Sequence, residues 1–215
     1  MNFLKQKYLP FLRDGEFLLS VGLSLAFLLT SFVINYFAGI YTTESASSPV
    51  TDIILSNIPV FDVDGIFIYG PFVLWTFVTG LIFAKPQRIP FVLKSIALFV
   101  VIRSGFVTLT HIGPFPSSVT FDSNLLKYFT SANDLFFSGH TGLPFLMALV
   151  FQKNRRLLVF FTTTAIFFGI IVLLAHLHYS IDVLAAFFIT HTIYHLAGWL
   201  FKKDQEMFLS NGTKA

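Results

Sequence analysis

Residues 17–37 read FLLSVGLSLAFLLTSFVINYF, and no charged side chain interrupts this stretch. A hydrocarbon core about 30 Å thick is crossed by an α-helix of about 20 apolar residues. The stretch therefore predicts a membrane-spanning helix. Asp14 and Glu16 separate it from the first basic residues, and it is longer than the apolar region of a secretory signal, so we expect a retained anchor.

Five further apolar stretches follow, and the complete set predicts an all-α, polytopic membrane protein with six transmembrane helices. The predicted spans are residues 17–37, 66–84, 91–110, 135–151, 157–175 and 181–201. No internal repeat or linker divides the chain, so residues 1–215 are predicted to form a single membrane domain. The two longest connecting segments, residues 38–65 and 111–134, are long enough to shape the mouth of a site. In the first of them, Ile53, Ile54 and Leu55 predict a short helix at the membrane interface.

The composition agrees with this interpretation and excludes several classes of function. Hydrophobic residues make up 55% of the chain and charged residues 12%, whereas a soluble domain has about 25% charged residues. The net charge is only +3 and the basic residues come in short clusters, which argues against a nucleic-acid interface. The absence of cysteine excludes disulfides, thiolate metal sites and a cysteine nucleophile.

The basic residues also predict the orientation. With six crossings, nearly all of them fall on one side of the membrane: Lys5, Lys7, Arg13, Lys85, Arg88, Lys94, Lys153, Arg155, Arg156, Lys202, Lys203 and Lys214. The other side has only Lys127, among several Asp and Glu residues. Because Lys and Arg accumulate in cytoplasmic loops, both the N- and C-termini are predicted to be cytoplasmic.

Four ionisable residues fall near the outer ends of predicted spans: Arg103, His140, His178 and Asp182. An ionisable side chain in a span is costly, so each is a hypothesis of function. His178 and Asp182 are four residues apart, which places them on one helix face if the helix begins at or before His178. A carboxylate beside an imidazole orients the ring and stabilises its charged form, as in nucleophile–base pairs. A helix cap with a structural ion pair is the alternative.

The predicted fourth span opens with polar residues that suit an anion. Ser138 can cap the helix and Gly139 lets a ligand approach the backbone. Free N–H groups at such a helix start bind phosphate, and His140 would stand ready to protonate a leaving oxygen. An ordinary capped helix start is the alternative for Ser138, Gly139, His140 and Thr141.

The remaining basic side chains are weaker candidates. Arg103 lies about 10 Å below the outer end of the third span and could bind phosphate oxygens or pair with Asp182 or Asp134. Lys127 could add a second phosphate contact or be solvated. His191 and His195 have an i, i+4 spacing, but no carboxylate lies nearby in sequence, so we favour helix packing over a metal site and expect no metal.

Taken together, these segments resemble the sphingomyelin synthase family, within the lipid phosphate phosphatase superfamily. Residues 133–141, NDLFFSGHT, are similar to its motif ending in Ser-Gly-His-Thr, with Asp134 four residues before the serine. Residues 174–183, LAHLHYSIDV, and their continuation to residue 190 are similar to its His-Tyr-Thr-x-Asp-Val motif, with Ser180 in place of threonine. Residues 103–116 and 49–52 add supporting likeness. The Lys-x₆-Arg-Pro segment of broad-range phosphatases is missing, which favours the synthases.

The resemblance implies a set of roles. His178 attacks phosphorus, Asp182 stabilises the resulting phosphohistidine, and His140 protonates the departing diacylglycerol oxygen. The substrate-binding residues are expected to be Arg103, Ser138, Gly139, Asp134, Tyr179 and Lys127. This chemistry requires neither a metal nor another cofactor.

Three functions stay open. The first is a transferase of sphingolipid and phospholipid metabolism, which moves a phosphocholine- or phosphoethanolamine-type headgroup from a glycerophospholipid to ceramide or diacylglycerol. The second is a lipid phosphate phosphatase or phospholipase C-like hydrolase, with water as acceptor. The third, a transporter or scaffold, leaves the His140, His178 and Asp182 set unexplained.

We expect a site on the non-cytoplasmic face, in a bacterial inner membrane or, alternatively, a Golgi or plasma membrane. Membrane lipids are the expected partners, and a homo-oligomer stays open.

Overall fold

The structure, a computed structural model, describes residues 8–118 and 136–210. Within these ranges the chain is helical and contains no strand, which confirms the predicted all-α class. The helices are α1 (Gly15–Glu44), α2 (Asp64–Phe83), α3 (Ile89–Leu109), α4 (Gly139–Val150), α5 (Arg155–Leu174), α6 (Ser180–Leu200) and α7 (Lys202–Leu209). A 3₁₀ turn, Pro86–Arg88, leads into α3.

Five of these helices are long and apolar enough to cross a membrane: α1, α2, α3 with its preceding turn, α5 and α6. They support an integral membrane protein. The predicted fourth span differs, because α4 has 12 residues and is therefore about 18 Å long, well short of a hydrocarbon core about 30 Å thick. Its N-cap is Ser138 and its C-cap is Phe151, and the predicted span extends back to residue 135, outside the described residues. Six crossings and two cytoplasmic termini stay predictions.

The helices α1 to α6, with the short α4 included, run in alternating directions, as contacts at their ends show. The Ser47 N–H donates to the His111 carbonyl at 2.8 Å, which joins the chain after α1 to the chain after α3. The Phe61 N–H donates to the Leu174 carbonyl at 2.9 Å, joining the segment before α2 to the end of α5. We call this side of the bundle, where α4 and α6 begin, the site end.

The packing of α1 against α3 follows from small residues at heptad spacing. The buried positions of α1 include Ser24, Ser31 and Ala38, each seven residues after the previous one. Small side chains let two membrane helices approach closely. The Ser24 and Ser31 hydroxyls donate to the Val21 and Leu28 carbonyls, so this interface leaves neither hydroxyl without an acceptor.

A polar cluster closes the opposite end of the bundle. Lys94 Nζ lies 2.6 Å from Asp204 Oδ2, and both side chains are largely buried. The Ser20 hydroxyl donates to Asp204 Oδ1 at 2.5 Å and accepts from Lys94 Nζ at 2.9 Å. The cluster therefore fastens α7 to α1 and α3 through groups that satisfy one another.

The predicted interface helix at Ile53, Ile54 and Leu55 is wrong, because this segment forms consecutive turns. Asp52 Oδ1 accepts the N–H groups of Ile54 and Leu55 at 2.8 and 3.1 Å. These bonds cap the turn as an N-cap residue does, but Pro59 disfavours helical backbone at the residue before it, so the turn is not extended into a helix. Leu55 is buried at the site end while Ile53 is exposed.

Candidate active site

The start of α6 holds the predicted histidine–carboxylate pair. The helix begins at Ser180, after His178, so the expected shared helix face does not account for the contact. Instead Asp182, in the first turn, folds back over the cap: its Oδ2 atom accepts the Tyr179 N–H at 2.8 Å and lies 3.5 Å from His178 Nδ1. His178 and Asp182 are both buried. One carboxylate oxygen thus caps the helix and faces the imidazole.

The start of α4 is capped as the sequence predicted. Ser138 Oγ accepts the Thr141 N–H at 3.3 Å and the Thr141 hydroxyl at 3.2 Å. The Ser138 N–H in turn donates to the Asp182 carbonyl at 3.2 Å. This bond joins the first turn of α4 to the first turn of α6, and it brings the two histidine motifs together.

Arg103 reaches the same point from α3. Its side chain is buried, and Nε donates to the Phe137 carbonyl at 2.7 Å. A Cβ atom on Gly139 would lie 3.4 Å from Arg103 Nε and 3.7 Å from Cζ. These are ordinary van der Waals distances, so the guanidinium lies against the backbone that begins α4 and would contact a side chain at position 139.

His140 is held by aromatic rings from two other helices. Its ring stacks on Phe67 of α2, with the centroids 4.2 Å apart and the planes at 20°. Phe168 of α5 meets it edge-on at 6.1 Å. These contacts fix the plane of the imidazole one residue after Gly139, at the site end of the bundle.

Arg103 bonds to the carbonyl of Phe137, the residue before Ser138, and Ser138 and His178 both contact Asp182. His140 follows Ser138 by two residues in the first turn of α4. Two predicted substrate-binding residues, Lys127 and Asp134, lie outside the described residues. The catalytic and binding roles assigned to all of these residues stay predictions. In the described part of the chain, no three His, Asp or Glu side chains cluster as metal ligands do.

Tyr179, predicted to bind substrate, is buried and joins two loops. Its hydroxyl donates to the Gly113 carbonyl at 2.8 Å and accepts the Val50 N–H at 3.2 Å. Burial raises the pKa of this phenol, the Val50 bond opposes the rise, and Asp182 and Asp52 add to it. The ring remains neutral and connects the outer loops to the start of α6.

Asp52 is a site residue that sequence reasoning left without a role. Its Oδ2 atom accepts the N–H and the hydroxyl of Ser180 at 2.7 and 2.8 Å. Burial alone would raise the pKa of this carboxyl, but hydrogen bonds from Ser180, Leu55 and Ile54 outweigh it and lower the pKa below 3.8. The likeness at residues 49–52 was the only signal for this second carboxylate at the start of α6.

The histidines outside the two motifs have distinct environments. His176 is buried, and its Nδ1 atom lies 2.7 Å from Ser117 Oγ. His191 and His195 contact each other, with Nε2 atoms 3.3 Å apart. Both lie on an exposed face of α6, so packing against a helix of the same chain, the favoured interpretation of their spacing, is wrong for this pair.

Residues 131–199 match the PAP2 superfamily C-terminal family. The matched segment contains both histidine motifs, the helices α4 and α5, and all of α6 except its last residue. The match supports the lipid phosphate phosphatase superfamily and lipid phosphate chemistry of the phosphatase or phosphotransferase type. It does not single out the sphingomyelin synthases. No curated protein and no solved structure matches the chain.

Proposed function

We propose that this protein is a phospholipid headgroup phosphotransferase that works through a phosphohistidine at His178. The observation that carries the proposal is the joined start of α4 and α6. There Asp182 contacts His178 through its carboxylate and Ser138 through its carbonyl. The PAP2-type match over the same segment supports phosphate chemistry.

The first half-reaction breaks the bond between phosphorus and the glycerol oxygen. Because His178 Nδ1 faces Asp182, we assign the attack to Nε2, which forms the P–N bond. The ring becomes cationic, and the carboxylate stabilises that charge. His140 gives its proton to the departing diacylglycerol oxygen, which is too basic to leave as an alkoxide. Such proton transfer accelerates reactions about 10²–10⁴-fold.

The second half-reaction reverses these roles. His140, now neutral, accepts the proton of an incoming alcohol, the alcohol oxygen attacks phosphorus, and the P–N bond breaks. Ceramide or diacylglycerol is the proposed acceptor, and water is the alternative that would make the enzyme a hydrolase. The two outcomes share one intermediate, so the acceptor distinguishes them.

The phosphate charge needs donors in both steps. We assign this role to Arg103 and the N–H groups that begin α4, because a guanidinium and a helix N-terminus both favour phosphate oxygens. Asp134, Lys127 and Tyr179 stay proposed contacts. The site would face the non-cytoplasmic leaflet, as the distribution of Lys and Arg suggests.

Reconstitution in liposomes tests the proposal directly. The purified protein is added to vesicles of headgroup-labelled phosphatidylcholine and phosphatidylethanolamine, with or without ceramide or diacylglycerol, and mass spectrometry follows the label. Transfer predicts a labelled product lipid that requires an acceptor. Release of soluble labelled headgroup phosphate, with or without acceptor, would instead establish the hydrolase.

Two variants give the test its controls. His178→Ala should reduce turnover to the level of protein-free vesicles while keeping the fold, as judged by circular dichroism and thermal unfolding. His195→Ala, on the exposed face of α6, should retain catalysis per molecule. Retained turnover in His178→Ala would reject the nucleophile, and no headgroup movement in the wild-type protein would reject the function.

A further inference from the structure

One face of α6 is exposed along the whole helix and carries two histidine side chains. We call it the α6 stripe, and its members recur every three or four positions: Ile181, Leu184, Phe188, His191, His195 and Trp199. Positions on the other side, including Ala186, Ile193 and Ala197, are buried. His191 lies nine residues from the end of α6, or about 14 Å, which places it at membrane depth.

The two imidazoles satisfy only part of each other's hydrogen-bonding capacity. Their Nε2 atoms lie 3.3 Å apart, so in the neutral pair one ring donates and the other accepts. The donating ring then keeps a lone pair at Nδ1, and the accepting ring keeps an N–H at Nδ1. Within the described residues neither ring makes another hydrogen bond. Lipid tails offer no partner for the remaining donor and acceptor.

We propose that the α6 stripe binds a second copy of this chain. A two-fold axis places the same surface of both copies in contact, so a donor on one copy can face an acceptor on the other, and the converse. The spacing of the stripe also suits two helices crossing at about 20°. In this arrangement the Nδ1 donor and the Nδ1 acceptor of each copy bond to those of the other copy instead of facing lipid.

The absence of cysteine allows a direct test in native membranes. Phe188→Cys places one thiol on the α6 stripe, and Ile166→Cys places one on an exposed position of α5. A short bis-maleimide should link Phe188→Cys into a covalent dimer and leave Ile166→Cys monomeric. Equal linking at both positions, or none at position 188, would overturn the proposal.

A second measurement tests the histidines themselves. The double variant His191→Leu with His195→Leu should lower the dimer fraction in dilute bilayers, counted by single-molecule photobleaching, on the order of tenfold in association constant. Thr192→Val is the matched control, since the Thr192 hydroxyl already donates to the Phe188 carbonyl. Unchanged association in the histidine variant would refute the polar pairing.

His176 occupies a backbone position at the end of α5 where glycine is expected. The His176 N–H donates to the Leu173 carbonyl and the Leu177 N–H to the Val172 carbonyl, both at 3.0 Å. This pair of bonds is a Schellman motif at the end of α5. The residue that adopts the left-handed conformation in this motif, here His176, is usually glycine. His176 adopts a φ of +54° there, a conformation that is unfavourable for a residue with a side chain.

The side chain of His176 ties this turn to the loop after α3. Nδ1 contacts Ser117 Oγ at 2.7 Å, and the ring of Phe115 meets the imidazole edge-on at 5.3 Å. The same turn carries His178 two residues later. We infer, on the basis of the proposed function, that His176 is a positioning residue whose contact with Ser117 holds the loop 110–118 against the turn that presents His178.

Replacement of His176 by glycine distinguishes its role in holding the loop 110–118 from a contribution to the overall stability of the fold. His176→Gly relieves the strained backbone and removes the tie, so the melting temperature should hold or rise while amide hydrogen exchange in residues 110–118 accelerates at least about threefold. Ser117→Ala, which removes the tie alone, should accelerate the same amides. Unchanged exchange in both variants would overturn the tie whether or not the protein is active.

The effect on catalysis is a separate arm of the experiment. In an active preparation, His176→Gly and Ser117→Ala should lower kcat severalfold with little change in KM, because the nucleophile is misplaced and lipid binding is not. Faster exchange with wild-type kcat would reject the positioning role. An inactive wild-type protein would reject the proposed function and leave the exchange result to decide the tie.

Discussion

The Asp52 carboxylate accepts both the backbone N–H and the hydroxyl of Ser180, at 2.7 and 2.8 Å. Ser180 is the first residue of α6, and a negative charge at this position stabilises the N-terminus of a helix. The loop after α1 therefore fixes the start of the helix that follows the His178 turn. Two carboxylates, Asp52 and Asp182, cap a single helix start.

Asp52→Asn should destabilise the protein by about 1.5–3 kcal/mol, because a buried acceptor of charge-assisted hydrogen bonds is replaced by a neutral amide. Chemical unfolding in detergent measures the change. Ser180→Ala removes only the hydroxyl bond and should cost less. A stability equal to wild type in Asp52→Asn would show that this cap does not hold α6.

The lowered pKa of Asp52 also predicts an acid limit. A carboxyl whose folded pKa lies below its ordinary value of 3.8 stabilises the fold fully above that value and loses the contribution as pH falls through the folded pKa. The stability gap between wild type and Asp52→Asn should therefore be constant from pH 5 to 8 and shrink below about pH 4. A gap that widens in acid would contradict the sign of the shift.

His140 is proposed to protonate the leaving group, so its loss should depend on what leaves. His140→Asn should slow turnover of phosphatidylcholine about 10²–10⁴-fold. With p-nitrophenyl phosphocholine, whose phenolate leaves without a proton, the same variant should lose much less. An equal loss on both substrates would assign His140 a structural role, held by Phe67 and Phe168.

Local sequence patterns predicted the parts of the fold that depend on local energetics. The uninterrupted apolar run at residues 17–37 predicted α1, and Ser138 was correctly expected to cap α4. The apolar run predicts a helix from its own length and composition, and the Ser138 bond reaches only the next turn. Both features depend on residues that are close in sequence, so the local pattern is enough to predict them.

Long-range relationships were not predictable in this way. The bond of Asp52 to Ser180 joins distant parts of the chain, and nothing near either residue encodes the other. The exposure of His191 and His195 depends on how α6 is rotated within the bundle, which an i, i+4 spacing does not determine.

Gly142 is required for the close packing of three helices. A Cβ atom there would lie 2.7 Å from the Phe99 ring and 2.9 Å from Thr190 Oγ1. Gly142→Ala should therefore cost about 1–3 kcal/mol, as overpacking does. Gly80→Ala is the matched control, since nothing lies within 4 Å of its added Cβ, and it should be neutral or stabilising. Equal stability of the two variants would disprove the tight contact.

The Lys94–Asp204 pair predicts how firmly α7 is attached. The side chains are 12% and 9% exposed, so removing one partner leaves the other charge in poorly solvated surroundings, at a cost of about 3 kcal/mol. Lys94→Met should accordingly lower the thermal midpoint and speed hydrogen exchange in α7, whereas Lys94→Met with Asp204→Leu should recover much of the loss. Lys202 and Glu206, 4.0 Å apart and mostly exposed, provide the control pair, whose disruption should leave the midpoint unchanged. If Lys94→Met behaved like Lys202→Met, the buried cluster would contribute nothing to holding α7 against α1 and α3.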